Sequence, residues 1–465
     1  MVILKEKDKV PLYAQLYQQI KDDILKGSIK TGSRLPSSRK LSADLRISRN
    51  TVELAYQQLY SEGFIISRPR KGYYAELPLS EAVHKERAEE DGPQEPEIKE
   101  DKKILYDFQN KKLNSEDFPF DRWRKLTNRC FNDHRKGFLQ YGCPFGELSL
   151  RSEIQRYLYS YRRVECEAKQ IIIGSGTQFC LELVCRLLKT RGLAVAMEDP
   201  GYDRTRTTFQ NNGFKVQPVE LDEQGINVRM LNIPDIAAVY VTPSHQFPTG
   251  QIMTMERRRE LAEWAEKNSK IVIEDDYNCC FQYDTKPVPS LQSLCSNRTV
   301  YVGSFSDVMF PAIGISYAVL PGHMLDDLCE RYCYDTTFVP FLTQKTLELF
   351  MREGFWERHL RRTVQYQKRK RNMLVSSLQS EFGNKIRISG AQSGLHLVVH
   401  PGWQATEAEL VGLAEEAGIA VEALSSYWSK PPEEKISGIL LNYRGMKQEN
   451  IPIAVRLLRQ AWIGN

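Results

Sequence analysis

No run of about 18 consecutive apolar residues occurs anywhere in the chain, which excludes an ordinary membrane-spanning helix. The start, MVILKEKDKV, holds no apolar stretch of signal-peptide length. Both absences predict a soluble, cytoplasmic chain with no membrane partner. The ten cysteines are scattered: Cys279 and Cys280 are adjacent, Cys329 and Cys333 lie one helical turn apart, and none stands in CxxC spacing or beside a paired-histidine motif. A disulfide framework and a structural metal are therefore not expected, and the thiols read as free in a reducing compartment. Internal repeats are also lacking, which excludes a solenoid or propeller.

What is present is ample material for more than one core. A chain of 465 residues, 41% hydrophobic and 26% charged, predicts two or three globular domains. The net charge of +5 hides an asymmetry. Residues 1–75 carry 14 Lys/Arg against 7 Asp/Glu, whereas residues 76–103 carry 5 against 10. The second segment has almost no apolar residues and includes Pro78, Pro93 and Pro96, the composition of a solvated linker. The reading is a basic module over 1–75, an acidic linker over 76–103 and a large unit over 104–465. A basic module on its own points to a polyanionic partner.

Within 1–75, Leu12, Leu16, Ile20 and Ile24 recur every fourth residue and make one face of a helix that stops near Gly27. Leu35-Pro36-Ser37-Ser38 opens a second short helix carrying Leu41 and Leu45. Ser48 is placed to cap a third, with Val52, Ala55, Tyr56 and Leu59 on its inner face. Strand-like pieces at Phe64–Ser67 and Tyr73–Ala75 flank a basic turn. Three helices followed by a basic hairpin predict a winged helix-turn-helix (mostly α with a β wing). A recognition helix presents its first turn to base edges in the major groove. The candidate double-stranded DNA contacts are then Ser48, Arg49, Asn50 and Thr51, with Arg39 from the preceding helix. Lys71 and Gly72 at the wing tip would reach the backbone or minor groove. Arg49 is the candidate for a bidentate pair with guanine.

The string LPSSRKLSADLRISRNTVELAYQQLYSEGFIISRPRKGYY resembles the winged-helix domain of GntR-family bacterial transcriptional regulators. Its AYQQL and KGYY segments are similar to the MocR branch. The resemblance implies operator contacts at the positions of Arg39, Arg49 and Gly72. Where that family often has a further basic residue, this chain has Glu53.

Beyond the linker, short apolar runs at Ile171–Ile173, Leu193–Met197, Ile236–Val241, Ile271–Ile273, Thr299–Val302 and Ile315–Val319 alternate with helical patterns such as Phe179–Leu188 and Met255–Lys267. That alternation predicts an α/β unit with a mostly parallel sheet. From about Thr343 the pattern turns helical and then gives one strand, Leu395–Val399, a smaller α+β lobe.

A set of motifs in order resembles the fold-type I aminotransferase-like domain that MocR regulators carry: YGCPFGELSLR at Tyr141–Arg151, Ser175-Gly176-Thr177-Gln178, Glu198-Asp199-Pro200-Gly201-Tyr202, Thr242-Pro243-Ser244-His245-Gln246, Glu274-Asp275-Asp276-Tyr277, and Ser304-Phe305-Ser306-Asp307. The resemblance implies a pyridoxal-phosphate (PLP) pocket. Ser175, Gly176, Thr177 and Gln178 would cradle phosphate at a helix N-terminus, with Ser304 and Ser306 beside them. Tyr202 would lie over the ring, Arg204 would receive a carboxylate and His245 would stand near the ring oxygen. Asp275 would face the ring nitrogen and Tyr277 the ring hydroxyl.

Two positions depart from that pattern. Asp307 stands where the resemblance expects the lysine that carries PLP covalently, and Gly314 where it expects a phosphate-binding arginine. A carboxylate cannot make that covalent link. The pocket is expected to have no catalytic residue. Three readings of it stay open: another small molecule in place of PLP, such as an amine attracted to Asp307; PLP or another B6 vitamer held without a covalent link; or a relic that serves only dimerisation. Arg444 is a candidate second carboxylate-binding arginine. The reading as a whole is a DNA-binding transcriptional regulator with an effector domain sensing an amine, amino acid or B6 vitamer. Family members pair head to tail, which implies a homodimer. The competing reading is a PLP-dependent class I aminotransferase.

Overall fold

The computed structural model describes residues 10–69, 71–77, 104–109, 118–284, 288–332, 339–430 and 437–464. The chain divides into two units, Met1–Asp101 and Lys102–Asn465. From residue 78 on, the acidic segment read as a linker lies outside the described residues, as do Arg70 and Cys333.

The first unit holds helices α1 (Leu12–Leu25), α2 (Ser38–Leu45) and α3 (Arg49–Ser61), then strands β1 (Ile65–Arg68) and β2 (Gly72–Ala75). The strands pair antiparallel, with Arg68 opposite Gly72, so Pro69 and Lys71 lie at the wing tip. Helices α2 and α3 start where short hydroxyl side chains satisfy free backbone amides. Ser37 Oγ accepts from the Lys40 amide at 3.2 Å, and Ser48 Oγ from the Thr51 amide at 3.1 Å. The apolar stripes of α1 and α3 close on each other: Leu16, Ile20, Ile24, Val52, Tyr56 and Leu59 form one core with Phe64, Ile65 and Ala75. Burying a side chain such as Leu16 or Leu59, both fully enclosed, stabilises the unit by about 1.5–3 kcal/mol.

The second unit begins with a two-residue strand β3 (Tyr106–Asp107). Its main sheet has β4 (Ile171–Gly174), β5 (Ala194–Asp199), β6 (Lys215–Asp222), β7 (Gly225–Ile226), β8 (Ile236–Val241), β9 (Ile271–Asp275), β10 (Thr299–Ser304) and β11 (Ser316–Val319). Their spatial order is β4-β11-β10-β9-β8-β5-β6-β7. Neighbours from β10 through β6 run parallel, while β11 lies antiparallel to both β10 and β4. Both faces are covered. Ile171 and Ile173 join one core with Tyr301 and Tyr317, whereas Ile172 joins another with Val195, Ile271 and Val300. A strand buried on both sides is apolar at every position, which is why these runs were legible.

The C-terminal lobe has five strands where the sequence announces one. These are β12 (Ile386–Ser389), β13 (His396–Pro401), β14 (Ile419–Ala420), β15 (Glu422–Ala423) and β16 (Ile439–Asn442). An antiparallel sheet runs β12-β13-β16-β15, and β14 pairs with β3. Two-residue strands carry no periodic signal. Strand β6 was missed for a related reason: KVQPVELD sits near the sheet edge, half covered and broken by Pro218. Among the described residues no helix is long and apolar enough to cross a membrane.

Candidate nucleic-acid interface and ligand cavity

In the first unit, Arg49 and Asn50 project from the first turn of α3 and are exposed, as is Arg39 on α2. Thr51 and Ser48 have a prior commitment: their hydroxyls lie 2.7 Å apart and Ser48 also caps the helix. The Arg49 guanidinium is not free either. Its Nε donates to Glu53 Oε1 at 2.8 Å, one helical turn on. At the wing, Gly72 has φ +98°, a backbone that favours glycine. Two cations that the motif reading did not select join it. Arg34 pairs with Tyr74 in an isolated bridge, and its guanidinium lies 3.7–3.8 Å from where a Cβ on Gly72 would sit. Arg68 stacks over the Tyr74 ring at 4.5 Å. Their charge was visible in the sequence, but their grouping with Lys71 required the chain before α2 to fold back on the hairpin.

The second unit has a cavity of roughly 410 Å³ at the C-terminal ends of the parallel strands. Sheet topology explains its lining. Asp275 ends β9 and Ser304 ends β10; Thr242 follows β8 and Ser175 follows β4. Because β11 is reversed, it starts at this same edge and contributes Ser316. The helix Thr177–Leu188 begins here, capped by Gly176 at φ +102° without a side-chain cap, so its first amides are left to the cavity. Of the twelve residues expected to hold a cofactor or effector, Ser175, Gly176, Thr177, Gln178, Tyr202, Arg204, Asp275, Tyr277, Ser304, Ser306 and Asp307 line the cavity.

His245 does not line it. Its ring lies behind His396, which does. His396 Nε2 is 3.0 Å from the Pro248 carbonyl and must donate to it, so its Nδ1 accepts from His245 Nε2 at 3.2 Å. His245 Nδ1 then accepts from Ser393 Oγ at 2.9 Å. Gly394 leaves room for this ring; a Cβ there would stand 2.1 Å from His245 Nε2. Burial, and then the neighbouring His396, holds His245 well below the usual histidine range, while burial brings His396 down to about 4.

The acidic run Glu274-Asp275-Asp276 splits by strand alternation. Glu274 accepts from the Leu291 and Gln292 amides, and Asp276 from Arg162 at 2.7 Å and the Tyr301 hydroxyl at 2.7 Å. Both carboxylates are structural. Asp275 turns to the cavity instead, with the Tyr240 hydroxyl donating to its Oδ2 at 2.6 Å. Its Oδ1 is buried and has no partner. Burial pushes the Asp275 carboxyl up to about 7, against the pull of Tyr240. Glu198 is likewise pushed up to about 7 by burial, although the Thr242 hydroxyl and amide both donate to it. Tyr240, Phe247, Asn278, Ser316, His396 and Asn442 are lining residues that no motif announced.

Asp307 departs from the expectation of a bare carboxylate awaiting an amine. Arg444 Nη1 donates to its Oδ1 at 2.7 Å, and Arg444 Nη2 donates to the Ser306 carbonyl at 2.5 Å. The Arg444 side chain is 5% exposed and Asp307 25%. The carboxylate that Arg444 holds in this structure is the protein's own. The pair also ties the C-terminal lobe, where Arg444 follows β16, to the loop after β10. Gly314 has φ +57° and open space where a side chain would begin. Among the described residues lining the cavity there is no lysine.

The residues present fit part of what the aminotransferase fold implies. An orphaned buried acceptor on Asp275, free helix amides at Gly176–Gln178 and the hydroxyls of Ser304, Ser306 and Ser316 suit a ligand with an N–H donor at one end and an anion at the other. A covalent anchor does not belong to that set.

Comparison with known proteins agrees with both units. The profile for "Bacterial regulatory proteins, gntR family" matches residues 12–74, and that for "Aminotransferase class I and II" matches residues 109–440. The uncharacterized HTH-type transcriptional regulator YdeL of Bacillus subtilis is 36% identical over 455 residues, 97% of each chain. The probable rhizopine catabolism regulatory protein MocR of Rhizobium meliloti is 28% identical, spanning 100% of this chain and 96% of its own. Among solved structures, an archaeal alanine:glyoxylate aminotransferase superposes with a TM-score of 0.70 at 22% identity, over 77% of this chain and 90% of that one, a likeness of fold.

Proposed function

We propose a function from one premise: the chain belongs to the GntR-family helix-turn-helix transcriptional regulators that carry an aminotransferase-like domain, the MocR-like group. The first unit reads operator DNA. The second receives a small molecule reversibly, does not transaminate, and joins two copies into a homodimer. The observation that carries this reading is the Asp307–Arg444 pair, which fills with a neutralised carboxylate the position where a nucleophilic amine would be needed.

On DNA, Arg49 donates to guanine from the major-groove side of α3, with Asn50 beside it. Lys71, the Gly72 backbone and Arg39 fix the register through phosphates. In the cavity, the Gly176–Gln178 amides and the three serine hydroxyls hold an anionic group, and Asp275 Oδ1 accepts from a ring or amine nitrogen. Tyr202 and Phe247 bound the space between as aromatic walls, and Arg204 is exposed at its rim to receive a carboxylate. An amine effector is drawn to Asp275 rather than to Asp307, whose charge Arg444 already balances. PLP, when bound in such a site, supplies an electron-withdrawing ring; among the described residues lining this cavity there is no lysine to use it. A ligand that favours one dimer geometry shifts the spacing of the two winged helices and so the affinity for paired half-sites.

Exposed apolar side chains support the homodimer. Phe131 and Phe138 stack with centroids 5.0 Å apart and both are exposed, Leu139 is 87% exposed and Tyr141 98%. A cluster of this kind left open to water marks a contact surface. Light scattering on the full chain should give twice the 53.7 kDa chain mass.

The competing reading, an aminotransferase, is tested directly. Incubation with PLP, reduction with borohydride and intact-mass measurement should leave the protein unlabelled. Labelling at one stoichiometric site, together with amino-group transfer, would replace this proposal with the enzyme.

A further inference from the structure

Resting on the regulator reading, we infer that Glu53 is a positioning residue for base recognition: it holds Arg49 by its Nε and so presents the guanidinium's terminal edge to the DNA. The geometry is specific. Arg49 Nε donates to Glu53 Oε1 at 2.8 Å across one turn of α3. The guanidinium has five N–H donors in a fixed plane. With Nε engaged by Glu53, the two terminal nitrogens remain as a parallel pair of donors, the fork that matches guanine O6 and N7.

Helix stability does not account for this pair. Arg49 is the first residue of α3, where a cation opposes the helix dipole. The order is also the weaker one, since an acid placed before a base at this spacing stabilises a helix more than the reverse. Nor is Glu53 placed to attract DNA, because a carboxylate beside a duplex repels phosphate. Arg49 is 68% exposed and Glu53 41%, so neither is held by packing. An unsupported arginine at that exposure samples many rotamers, and each must be frozen when a base is read. Glu53 limits that sampling before the duplex arrives. The sequence signalled only that an acid stands where the family resemblance leads one to expect a base; its partner became visible once the helix was built.

This role has an unusual signature, because affinity and discrimination should move in opposite directions. The experiment begins with selection of duplexes by the full-length wild-type protein from a randomised pool, which defines its preferred site. Binding to that site and to a scrambled duplex is then measured at several salt concentrations for wild type, Glu53→Ala, Glu53→Gln, Arg49→Ala and the Arg49→Ala/Glu53→Ala double variant. Glu53→Ala should bind the scrambled duplex more tightly, having lost a repelling charge, yet discriminate about three- to ten-fold less at one guanine position. Glu53→Gln keeps an acceptor for Nε and should regain most of the discrimination. In the Arg49→Ala background, removing Glu53 should leave discrimination unchanged. If Glu53→Ala strengthens both duplexes equally, Glu53 only repels and the inference fails while the regulator reading stands. If wild type enriches no sequence at all, the regulator reading falls and this inference with it.

Discussion

Two arginine–carboxylate pairs of nearly equal length sit in the two units, and their surroundings give them different work. Arg49–Glu53 is 2.8 Å long, exposed, and built within one helix turn. Arg444–Asp307 is 2.7 Å long, with its arginine almost wholly enclosed, and it joins residues 137 apart in sequence. In water an ion pair contributes little to stability, so the exposed pair can orient Arg49 while leaving its terminal nitrogens for a base. In the enclosed pair, removing Arg444 leaves Asp307, only partly exposed, without its counter-charge. The first presents a donor edge to a ligand and the second is part of the cavity wall.

The sharpest way to break this contrast is to restore the expected lysine. Asp307→Lys alone should stay unlabelled by PLP and borohydride, since the new ammonium faces Arg444. Asp307→Lys/Arg444→Ala removes that repulsion and should acquire the label, read as a mass increase on intact protein. Equal labelling of the single and double variants would mean that Arg444 does not control position 307.

Stability gives the next largest difference. Arg444→Ala should destabilise the second unit by about 2–4 kcal/mol in urea melts, because Asp307 loses its counter-charge and the Ser306 carbonyl its donor. Arg49→Ala should change stability by less than about 0.5 kcal/mol. Similar losses from the two substitutions would erase the distinction.

Asp275 sharpens the comparison, being a cavity carboxylate with a tyrosine and no cation. Its folded carboxyl is raised to about 7, so its contribution to stability is present at pH below the ordinary carboxylate range and is lost as pH rises through about 7. Asp275→Asn cannot ionise. Relative to wild type it should therefore gain stability steadily between about pH 4 and pH 7, measured as the difference in melting temperature. A constant difference across that window would show that burial does not tune this group.

The smallest effect belongs to the wing. Lys71→Ala should weaken the preferred and scrambled duplexes alike and lower the slope of log affinity against log salt by about one. A change confined to the preferred duplex would make Lys71 a base reader instead of a phosphate contact.

How much of this was legible varies with the range of the cause. The recognition helix could be read from Ser48, the fourfold spacing in α1 and the inner face of α3, because capping and periodicity act within one or two turns. Strands β8 and β9 could be read from unbroken apolar runs. The cavity set was legible through its motifs because parallel strands deliver their C-terminal ends to one edge. Tyr240 was not, although its hydroxyl donates to Asp275, since nothing local separates it from the other core residues of β8. His245 stood in a recognisable motif, yet its ring serves His396 and Ser393 instead of the cavity.

By itself, then, the order of residues determined the helices, the apolar strands, the family to which the chain belongs and the presence of an acid at 307. Only the tertiary structure decided that this acid is already paired, that Asp275 alone among three neighbouring carboxylates faces the cavity, and that Arg34 joins the wing. The reason is physical. Backbone capping and side-chain periodicity are settled between near neighbours, whereas the charge state of a buried group depends on whichever distant segments the fold packs around it.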